Sequence, residues 1–164
     1  MISQKSRRRL AATAAVALGL GLGGAFVAHA QQPPGAGRQA AEERKAAFKL
    51  LGSNFRPLGA LLKDGGVYNE ADATKRISRE IFIAGLLNEV FPDASNLGEP
   101  DTKAKPEVWT NRADFDKGLQ KLQDDLATLA SVNAKEKGLT EPFKVALAAV
   151  AQDCKSCHDT YKIK

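Results

Sequence analysis

Residues 143–161 read FKVALAAVAQDCKSCHDTY and combine a helical pattern with a reactive cluster. Apolar and cysteine side chains recur at alternating steps of four and three residues, which is the spacing of one face of an α-helix. These positions are Phe143, Leu147, Val150, Cys154, Cys157 and Tyr161. The same stretch holds both cysteines of the chain and one of its two histidines, His158. It therefore predicts an amphipathic helix whose inner face carries the chemically reactive side chains.

The spacing C-x-x-C-H from Cys154 to His158 is the attachment signature of a c-type haem. Because the cysteines are three residues apart and Cys154 and His158 are four apart, all three side chains project from one helix face. The two thiols can form thioether bonds to the two vinyl groups while the imidazole approaches the iron. We predict one haem c per chain, linked through Cys154 and Cys157, with His158 as the metal ligand.

The N-terminus has the three parts of a secretory signal peptide. Lys5 and the arginines at 7–9 precede an almost uncharged stretch over residues 10–27, and Ala28-His29-Ala30 offers the small residues that a signal peptidase reads. A membrane anchor would need about 20 strongly apolar residues, and glycine and alanine dilute this segment. We predict cleavage after Ala30, which removes residues 1–30, leaves no membrane anchor and places the protein in the periplasm.

Cleavage would remove most of the apparent basicity of the chain. The full sequence carries 24 Lys and Arg residues against 19 Asp and Glu residues, a formal net charge of +5. Four of the cations and none of the anions lie in residues 1–30, so the mature chain has a net charge of +1. A nearly neutral chain lacks the electrostatic footprint of a polyanion binder, and we expect no nucleic-acid partner. The same cut removes the only methionine, Met1, and His29.

Three other uses of the Cys154–His158 cluster compete with haem attachment. A zinc site needs four protein ligands, or three and a water, and the mature chain has no further Cys or His. A thioredoxin-type pair belongs at a helix start in a βαβ unit, whereas this pair lies near a helix end. A plain disulfide suits an oxidising compartment but leaves His158 without a role. Haem attachment accounts for all three side chains.

The mature chain predicts an all-α fold, because the β-branched runs between turn signals that indicate strands are missing. Residues 31–39 are rich in Gln, Pro and Gly and predict a flexible lead-in. Residues 40–164 predict one domain of four amphipathic helices. Short connections at residues 63–69 and 135–140 make the joined helices antiparallel, and the sum is an antiparallel up-and-down four-helix bundle.

Start and stop signals divide the domain into its helices. The predicted helices cover residues 40–64, 69–91, 106–137 and 140–161. Pro57 should kink or interrupt the first, Asn69 and Thr140 are N-caps, Gly138 is a helix stop, and residues 93–105 form a long crossover loop. The predicted inner faces of the first three helices are Phe48, Leu51, Phe55, Leu58 and Leu62, then Ile77, Ile81, Ala84, Leu87 and Phe91, then Phe115, Leu119, Leu122, Leu126 and Leu129.

His158 is the one strong axial ligand that the mature chain offers to a haem iron. Strong protein donors are His, Met, Cys and Tyr, and after cleavage no second His, no Met and no spare Cys remain. Tyr68 and Tyr161 are poorly placed, while a lysine or the terminal amine stays open as an alternative. The sequence predicts a five-coordinate, high-spin iron whose open sixth position favours small gases.

These residues resemble the cytochrome c prime family. The resemblance covers nearly the whole mature chain and rests on Cys-Lys-Ser-Cys-His near its end, on residues 44–55, on residues 102–109 and on the missing sixth ligand. It implies a periplasmic haem protein that binds NO and CO and transfers single electrons with an unknown redox partner. It also implies a homodimer through the first two helices, where Phe82 is the expected exposed contact.

The resemblance further implies roles for individual residues. An arginine of the first helix lies beside a haem propionate in the family, and Arg44 matches it, with Lys45 next to it. An apolar residue one turn later covers the open face of the iron, and Phe48 stands at that position. Thr102 and Lys103 match the segment that approaches the haem edge. The competing interpretations are a solvated helix position for Arg44 and simple core packing for Phe48.

The main alternative function is a haem enzyme, either peroxidase-like or NO-detoxifying. Peroxide cleavage needs an acid–base group within hydrogen-bond reach of the substrate, and the phenyl ring of Phe48 cannot act as one. We therefore expect a gas-binding and electron-transfer protein without catalytic residues.

Overall fold

A computed structural model describes residues 35–63 and 66–164. The predicted signal peptide, residues 31–34 of the predicted lead-in and the predicted stop at Gly65 lie outside these residues. The described helices are α1 (Ala36–Ala60), α2 (Glu70–Leu86), α3 (Glu107–Thr110), α4 (Arg112–Glu136) and α5 (Glu141–Tyr161). Two short 3₁₀ helices, Leu87–Glu89 and Asp93–Ser95, follow α2.

The four long helices pack as a bundle in which α4 lies against α2 and α5, and α1 lies against α2 and α5. Over residues 35–63 and 66–164 there is no strand, and the β-type pairing consists of one isolated bridge between Ala104 and Lys162. The prediction of an all-α, antiparallel four-helix bundle is confirmed. No helix of the described part has both the length and the apolar character required to cross a membrane.

Two hydrophobic clusters form the core of the bundle. The first joins α1, α2, α4 and α5 and includes Leu58, Ile77, Leu126, Leu129, Phe143, Leu147 and Val150. The second includes residues next to the crossover loop, namely Leu51, Leu87, Phe91, Val108, Phe115 and Leu119. Full burial of each large apolar side chain contributes about 1.5–3 kcal/mol. The packing of these two clusters therefore holds the helices in register.

The predicted N-caps of α2 and α5 are confirmed. The side chain of Asn69 accepts a hydrogen bond from the backbone N–H of Asp72 at 2.8 Å. The hydroxyl of Thr140 accepts from the backbone N–H of Phe143 at 3.5 Å, and Pro142 occupies the first turn of α5. Each cap satisfies a backbone donor that the helix itself leaves unpaired.

The first helix begins earlier than the sequence predicted. Residues 36–39 were assigned to a flexible lead-in, but they form the first turn of α1 after Gly35, whose φ of 90° is open to glycine. Gly37 is buried, and a Cβ on it would overlap the carbonyl of Ala94. The prediction of a flexible lead-in is therefore wrong for residues 36–39. The close contact between Gly37 and the backbone of Ala94 leaves no hydrophobic pattern in the sequence, so it could not be predicted.

Two residues of the predicted inner faces lie outside. Leu62 is 38% exposed while Leu61 is buried, because α1 ends at Ala60 and the chain then leaves the helical phase. On α2, Ile81 is 39% exposed while Glu80 is only 3% exposed. The inner face of α2 therefore steps through residues 77, 80, 84 and 87 and includes a carboxyl group.

Three helix boundaries also differ from the prediction. The helix predicted from Pro106 onward is divided into α3 and α4 at Asn111, which has φ −115° and ψ 42°. The left-handed residue at the end of α4 is Lys137, with φ 49°, and not Gly138. Pro57 lies inside α1 without ending it. Pro57 leaves the carbonyl of Ser53 without its helical donor, and the helix ends three residues later at Ala60.

The crossover loop, residues 93–105, is fastened to the end of α5 by backbone hydrogen bonds. The N–H of Lys105 donates to the carbonyl of Tyr161 at 2.8 Å, and the N–H of Ile163 donates to the carbonyl of Lys103 at 2.8 Å. These bonds place the loop beside the helix segment that carries Cys154, Cys157 and His158.

We expect the substitution Gly37→Ala to lower the free energy of unfolding by about 2 kcal/mol, because the new methyl group must push the Ala94 carbonyl away. Gly85→Ala is the matched control, since a Cβ at Gly85 meets nothing within 4 Å. The control should be neutral or stabilise by up to about 1 kcal/mol. Urea unfolding followed by circular dichroism measures both, and equal values for the two variants would contradict the close contact at Gly37.

Candidate haem site

A cavity of about 600 Å³ opens between α1, α2, α4, α5 and the crossover loop. This volume lies within the range of about 300–1,000 Å³ that is usual for ligand and cofactor sites. All eight site residues predicted from the sequence line it: Arg44, Lys45, Phe48, Thr102, Lys103, Cys154, Cys157 and His158. The fold thus brings residues from both halves of the sequence to one place.

The three residues of the attachment motif lie on the cavity side of α5. Cys154 and Cys157 are half-buried free thiols, and His158 is more exposed. Burial, with a smaller contribution from the nearby Glu80 and Asp153 carboxyls, raises the pKa of Cys154 to about 11. Burial also raises the pKa of Cys157. Reactive redox cysteines have lowered pKa values, so these thiols do not resemble a thioredoxin-type pair.

His158 has the protonation state that iron coordination requires. Burial, assisted by the positive charge of Lys162, lowers the pKa of its imidazole, although Asp159 acts in the opposite direction. The neutral imidazole, which binds metals, is therefore favoured at neutral pH.

Phe48 of α1 and His158 of α5 are neighbouring side chains in the lining of the cavity. The centroids of the two rings are 6.4 Å apart, and Phe48 also makes an edge-to-face contact with Phe91 at 6.2 Å. The side chain of Phe48 is half-buried. The position that the family resemblance places over the open side of the iron therefore lies close to the imidazole, on a different helix.

Arg44 is a buried cation, only 4% exposed, whose partners are neutral oxygen atoms. Its guanidinium donates to the carbonyl of Val90 at 2.9 Å, to the hydroxyl of Ser95 at 3.0 Å and to the hydroxyl of Thr102 at 2.7 Å. Within residues 35–63 and 66–164, it forms no ion pair with an acidic side chain. The interpretation of Arg44 as a solvated helix position is wrong, because these bonds tie α1 to the crossover loop.

The guanidinium of Arg44 also lies over two aromatic rings. Its central carbon is 4.7 Å from the ring centroid of Phe91 and 5.7 Å from that of Trp109. Burial lowers the pKa of Arg44, but an arginine stays ionised. A permanent positive charge therefore lies in the cavity wall, and it can attract an anionic group.

The remaining predicted residues lie at the edge of the cavity. Thr102 is buried, and besides its bond to Arg44 its hydroxyl accepts from the N–H of Ala104 at 3.0 Å. Lys45 is exposed and pairs with Glu42 at 2.7 Å, and Lys103 pairs with Glu99. The cations that line the cavity are Arg44, Lys45, Lys49, Lys103 and Lys162.

Two acidic residues of the cavity were not found by sequence reasoning. Glu80 of α2 and Asp153 of α5 both line it, and each has one buried carboxyl oxygen without a hydrogen-bond partner. The signal for Glu80 was present, because residues 77, 80, 84 and 87 also have helical spacing, but Ile81 satisfied the same pattern with an apolar residue. Asp153 adjoins Cys154 and gave no separate signal.

The residues present fit a covalently held haem. Two thiols and an imidazole lie together on α5, and aromatic and aliphatic side chains line the interior. The guanidinium of Arg44, which has no acidic partner among the described residues, suits a carboxylate of a porphyrin. The apolar lining includes Leu51, Phe55, Leu87, Phe91, Val108, Phe115 and Leu119. An apolar pocket with a few placed polar groups is the usual form of a cofactor site.

A family model, sequence relatives and solved structures all match this chain to one protein family. The family model described as Cytochrome C' matches residues 39–162. Cytochrome c' of Allochromatium vinosum is 32% identical over 158 residues, which cover 94% of this chain and 97% of that one. The structure of cytochrome c prime from Shewanella frigidimarina superposes with a TM-score of 0.70 at 32% identity, over 78% of this chain and 97% of that one.

A second solved structure carries information about a ligand. It is a ferrous variant of cytochrome c prime from Alcaligenes xylosoxidans with bound NO, and it superposes with a TM-score of 0.69 at 26% identity. The match covers 78% of this chain and 96% of that one. Members of the matched family carry haem c, and the Cys154–His158 motif is the attachment sequence that such a cofactor requires.

We expect Arg44→Met to lower the free energy of unfolding of the haem-loaded protein by about 3 kcal/mol, because buried oxygens of Val90, Ser95 and Thr102 lose their donor. Lys45→Met is the control, and it should change stability by no more than about 0.5 kcal/mol because Lys45 is exposed. Urea unfolding followed by circular dichroism provides the comparison. Losses of the same size in both variants would show that Arg44 does not hold the loop.

Proposed function

This chain belongs to the cytochrome c′ family, and from that premise we propose that it is a periplasmic haem protein that binds NO and CO at an open axial position and transfers single electrons. The family membership supports the cofactor and the general class, a haem protein of the cytochrome type. The open position, the gases and the compartment are inferred for this chain from its own residues.

The observation that carries the proposal is the position of Phe48 on α1, with its ring centroid 6.4 Å from that of His158. In the proposed site Cys154 and Cys157 hold the haem, and His158 is its protein ligand. When bound, haem c supplies an axial coordination position and a one-electron couple. Phe48 has no atom that can coordinate a metal, so the side of the cavity opposite His158 is left for a diatomic ligand.

The character of Phe48 also selects among gases. Bound dioxygen is stabilised by a hydrogen-bond donor on the open side of the iron, and a phenyl ring donates none. NO and CO have less need of such a donor, so they should be favoured. The relative with bound NO supports this preference. The same ring disfavours the peroxidase-like and NO-detoxifying alternatives, because it cannot move a proton.

The cationic side of the cavity is proposed to hold the propionate groups. Arg44 supplies a buried positive charge without an acidic partner in the described part of the chain, and Lys45 and Lys103 add two exposed cations. Thr102 fixes the direction of the guanidinium through its 2.7 Å hydrogen bond. A charge-assisted hydrogen bond to a carboxylate is about twice as strong as a neutral one.

The compartment follows from the proposed signal peptide over residues 1–30. Haem c is attached outside the cytoplasm, so a chain with the Cys154–His158 motif needs an export signal, and the N-terminal pattern supplies it. Cleavage after Ala30 would leave a mature chain with a net charge of +1.

A homodimer through α1 and α2 is the proposed assembly. A surface cavity of about 490 Å³ lies on the outer side of these helices, and its lining includes Leu50, Phe82 and Ile83. Phe82 is 69% exposed and Leu50 is 56% exposed. Exposed apolar residues that form one patch indicate a contact surface, and a two-fold dimer would bury both copies of the patch together.

The gas-binding proposal is tested by the absorption spectrum of the ferrous protein before and after CO. The unmodified protein should show a high-spin spectrum that CO shifts. Phe48→Met should supply a thioether ligand opposite His158, give a low-spin spectrum and lower the CO affinity at least tenfold. Leu50→Met, on the outer side of α1, is the control and should behave like the unmodified protein. A low-spin ferrous spectrum in the unmodified protein that CO does not alter would refute the open position.

The dimer proposal is tested by sedimentation equilibrium of the haem-loaded protein. Phe82→Glu places a charge in the proposed contact and should raise the dimer dissociation constant at least tenfold. Val145→Glu is the matched control, because Val145 is 64% exposed on α5, away from the α1–α2 surface. It should leave the association unchanged. Equal effects of the two substitutions, or a monomeric unmodified protein, would contradict the assignment of this surface.

A further inference from the structure

Glu80 is a buried carboxyl group without a partner in the wall of the haem cavity. It is 3% exposed, and its Oε1 atom is buried with no hydrogen bond. It lies on the inner face of α2 with Ile77 and Ala84, and nothing in the core of a helical bundle requires a carboxyl at this position. Burial of an ionised carboxylate without a partner is costly, so packing alone does not explain a carboxyl at this position.

The surroundings of Glu80 place it near the attachment helix. Glu80 and Asp153 both act electrostatically on the thiol of Cys154 and both raise its pKa. Both carboxyls line the same cavity. Glu80 is therefore close enough to α5 to respond to a change of charge on a cofactor held there.

Asp153 connects this region to the surface. Its Oδ1 atom accepts from the Nζ of Lys121 at 2.8 Å, while its Oδ2 atom is buried without a partner. The ammonium of Lys121 also contacts Asp125 at 2.6 Å, and the side chain of Lys121 is 61% exposed. Polar groups thus extend from solvent at Lys121 through Asp153 to the cavity that contains Glu80.

We propose that Glu80 is a redox-linked proton site, whose carboxylate binds a proton when the haem iron accepts an electron and releases it when the iron is oxidised. The inference rests on the proposed one-electron function. A haem held by Cys154 and Cys157 would accept one electron from a one-electron donor in this step. The ionised Glu80 takes one proton from solvent and becomes a neutral acid, so the charge of the site is the same before and after.

The physical reason is the low dielectric constant of the cavity. Charges interact several times more strongly there than in water. The added electron makes the negative charge of an ionised Glu80 more costly, so its pKa must be higher in the ferrous than in the ferric protein. Burial already raises the pKa of Glu80 to about 8, which brings its titration into an accessible range.

The sign of the pH dependence follows from these two states. Below the pKa of the ferric protein, Glu80 is neutral in both redox states, and the reduction potential does not depend on it. Above that pKa, reduction takes up a proton, so the potential falls as the pH rises. Above the pKa of the ferrous protein, Glu80 stays ionised in both states and the dependence ends.

Other ionisable groups also face this cavity, and they must be separated from Glu80. The ionisable residues that line it are Arg44, Lys45, Lys49, Lys103, Asp153, Cys154, Cys157, His158, Tyr161 and Lys162. Lys121 and Asp125 do not line it, but Lys121 pairs with both Asp125 and Asp153. On α2 itself the nearest charged residues in sequence are Arg76 and Arg79. In the described residues none of the cations pairs with Glu80. Asp153 is the one other carboxyl of the cavity wall, so it is the group whose titration most resembles that of Glu80.

The experiment is protein-film voltammetry of the haem-loaded protein from pH 5 to pH 10, with Glu80→Gln, Asp153→Asn and Glu89→Gln as variants. Between the pKa values of Glu80 in the ferric and the ferrous protein, the unmodified protein should show up to a tenfold change of the apparent reduction constant per pH unit, which is about 59 mV for one electron. Glu80→Gln should abolish that slope. Glu89→Gln, at an exposed site, should retain it, and Asp153→Asn should retain the slope with a shifted pH range.

Infrared spectroscopy supplies a second readout that needs no substitution. At the midpoint of the sloping pH range, the reduced-minus-oxidised spectrum of the unmodified protein should contain the carbonyl band of a protonated carboxylic acid, and the band should shift in D₂O. Absence of the band, a slope that persists in Glu80→Gln, or a slope that Asp153→Asn alone removes would each overturn the proposal. The CO spectrum reports the proposed gas-binding function separately, so either proposal can fail without the other.

Discussion

In the helix that carries Cys154, Cys157 and His158, the fully buried side chains all lie in the first half. The first half of α5 is closed by Phe143, Leu147 and Val150, which are buried in the first hydrophobic cluster. The second half faces a cavity of about 600 Å³. A haem held there would supply apolar contacts to this half of the helix, and the packed first half fixes the position of the helix in the bundle.

The wall opposite α5 is held by hydrogen bonds as well as by hydrophobic packing. Arg44 reaches from α1 to Val90, Ser95 and Thr102, which lie at three separate points after α2. The crossover loop is also tied to α1 by the Arg38–Asp101 ion pair at 2.7 Å and to the end of the chain by its backbone bonds to Tyr161 and Ile163. One buried side chain therefore shapes the loop and also places a positive charge at the cavity. A substitution of Arg44 would therefore change both the packing of the loop and the charge of the cavity.

The sequence contains enough information to predict the helices and the reactive cluster, because both depend on local spacing. The motif from Cys154 to His158 is five residues long, and the caps at Asn69 and Thr140 act over one turn. Features that depend on contacts between distant segments could not be predicted. The early start of α1 depends on a glycine that meets Ala94, and the partners of Arg44 lie 46–58 residues away.

The burial of Glu80 could not be predicted from the sequence for a different reason. Helical spacing was satisfied equally by residue 80 or residue 81, and hydrophobicity favoured isoleucine. The fold places Ile81 outside and Glu80 inside, so a pattern rule that puts apolar residues inside fails at this wall of the cavity. Such failures are expected at sites where function opposes stability.

The cavity contains two deeply buried ionisable residues of opposite sign, Arg44 and Glu80, and burial affects them differently. An arginine is so basic that even a lowered pKa leaves it charged at any physiological pH. A carboxyl begins near pH 4 and is carried by burial to about 8, where a further change of charge nearby can decide whether it binds a proton. Arg44 therefore provides a constant field and Glu80 a variable one. In this proposal Glu80 binds or releases a proton when the charge of the cofactor changes, whereas Arg44 stays charged.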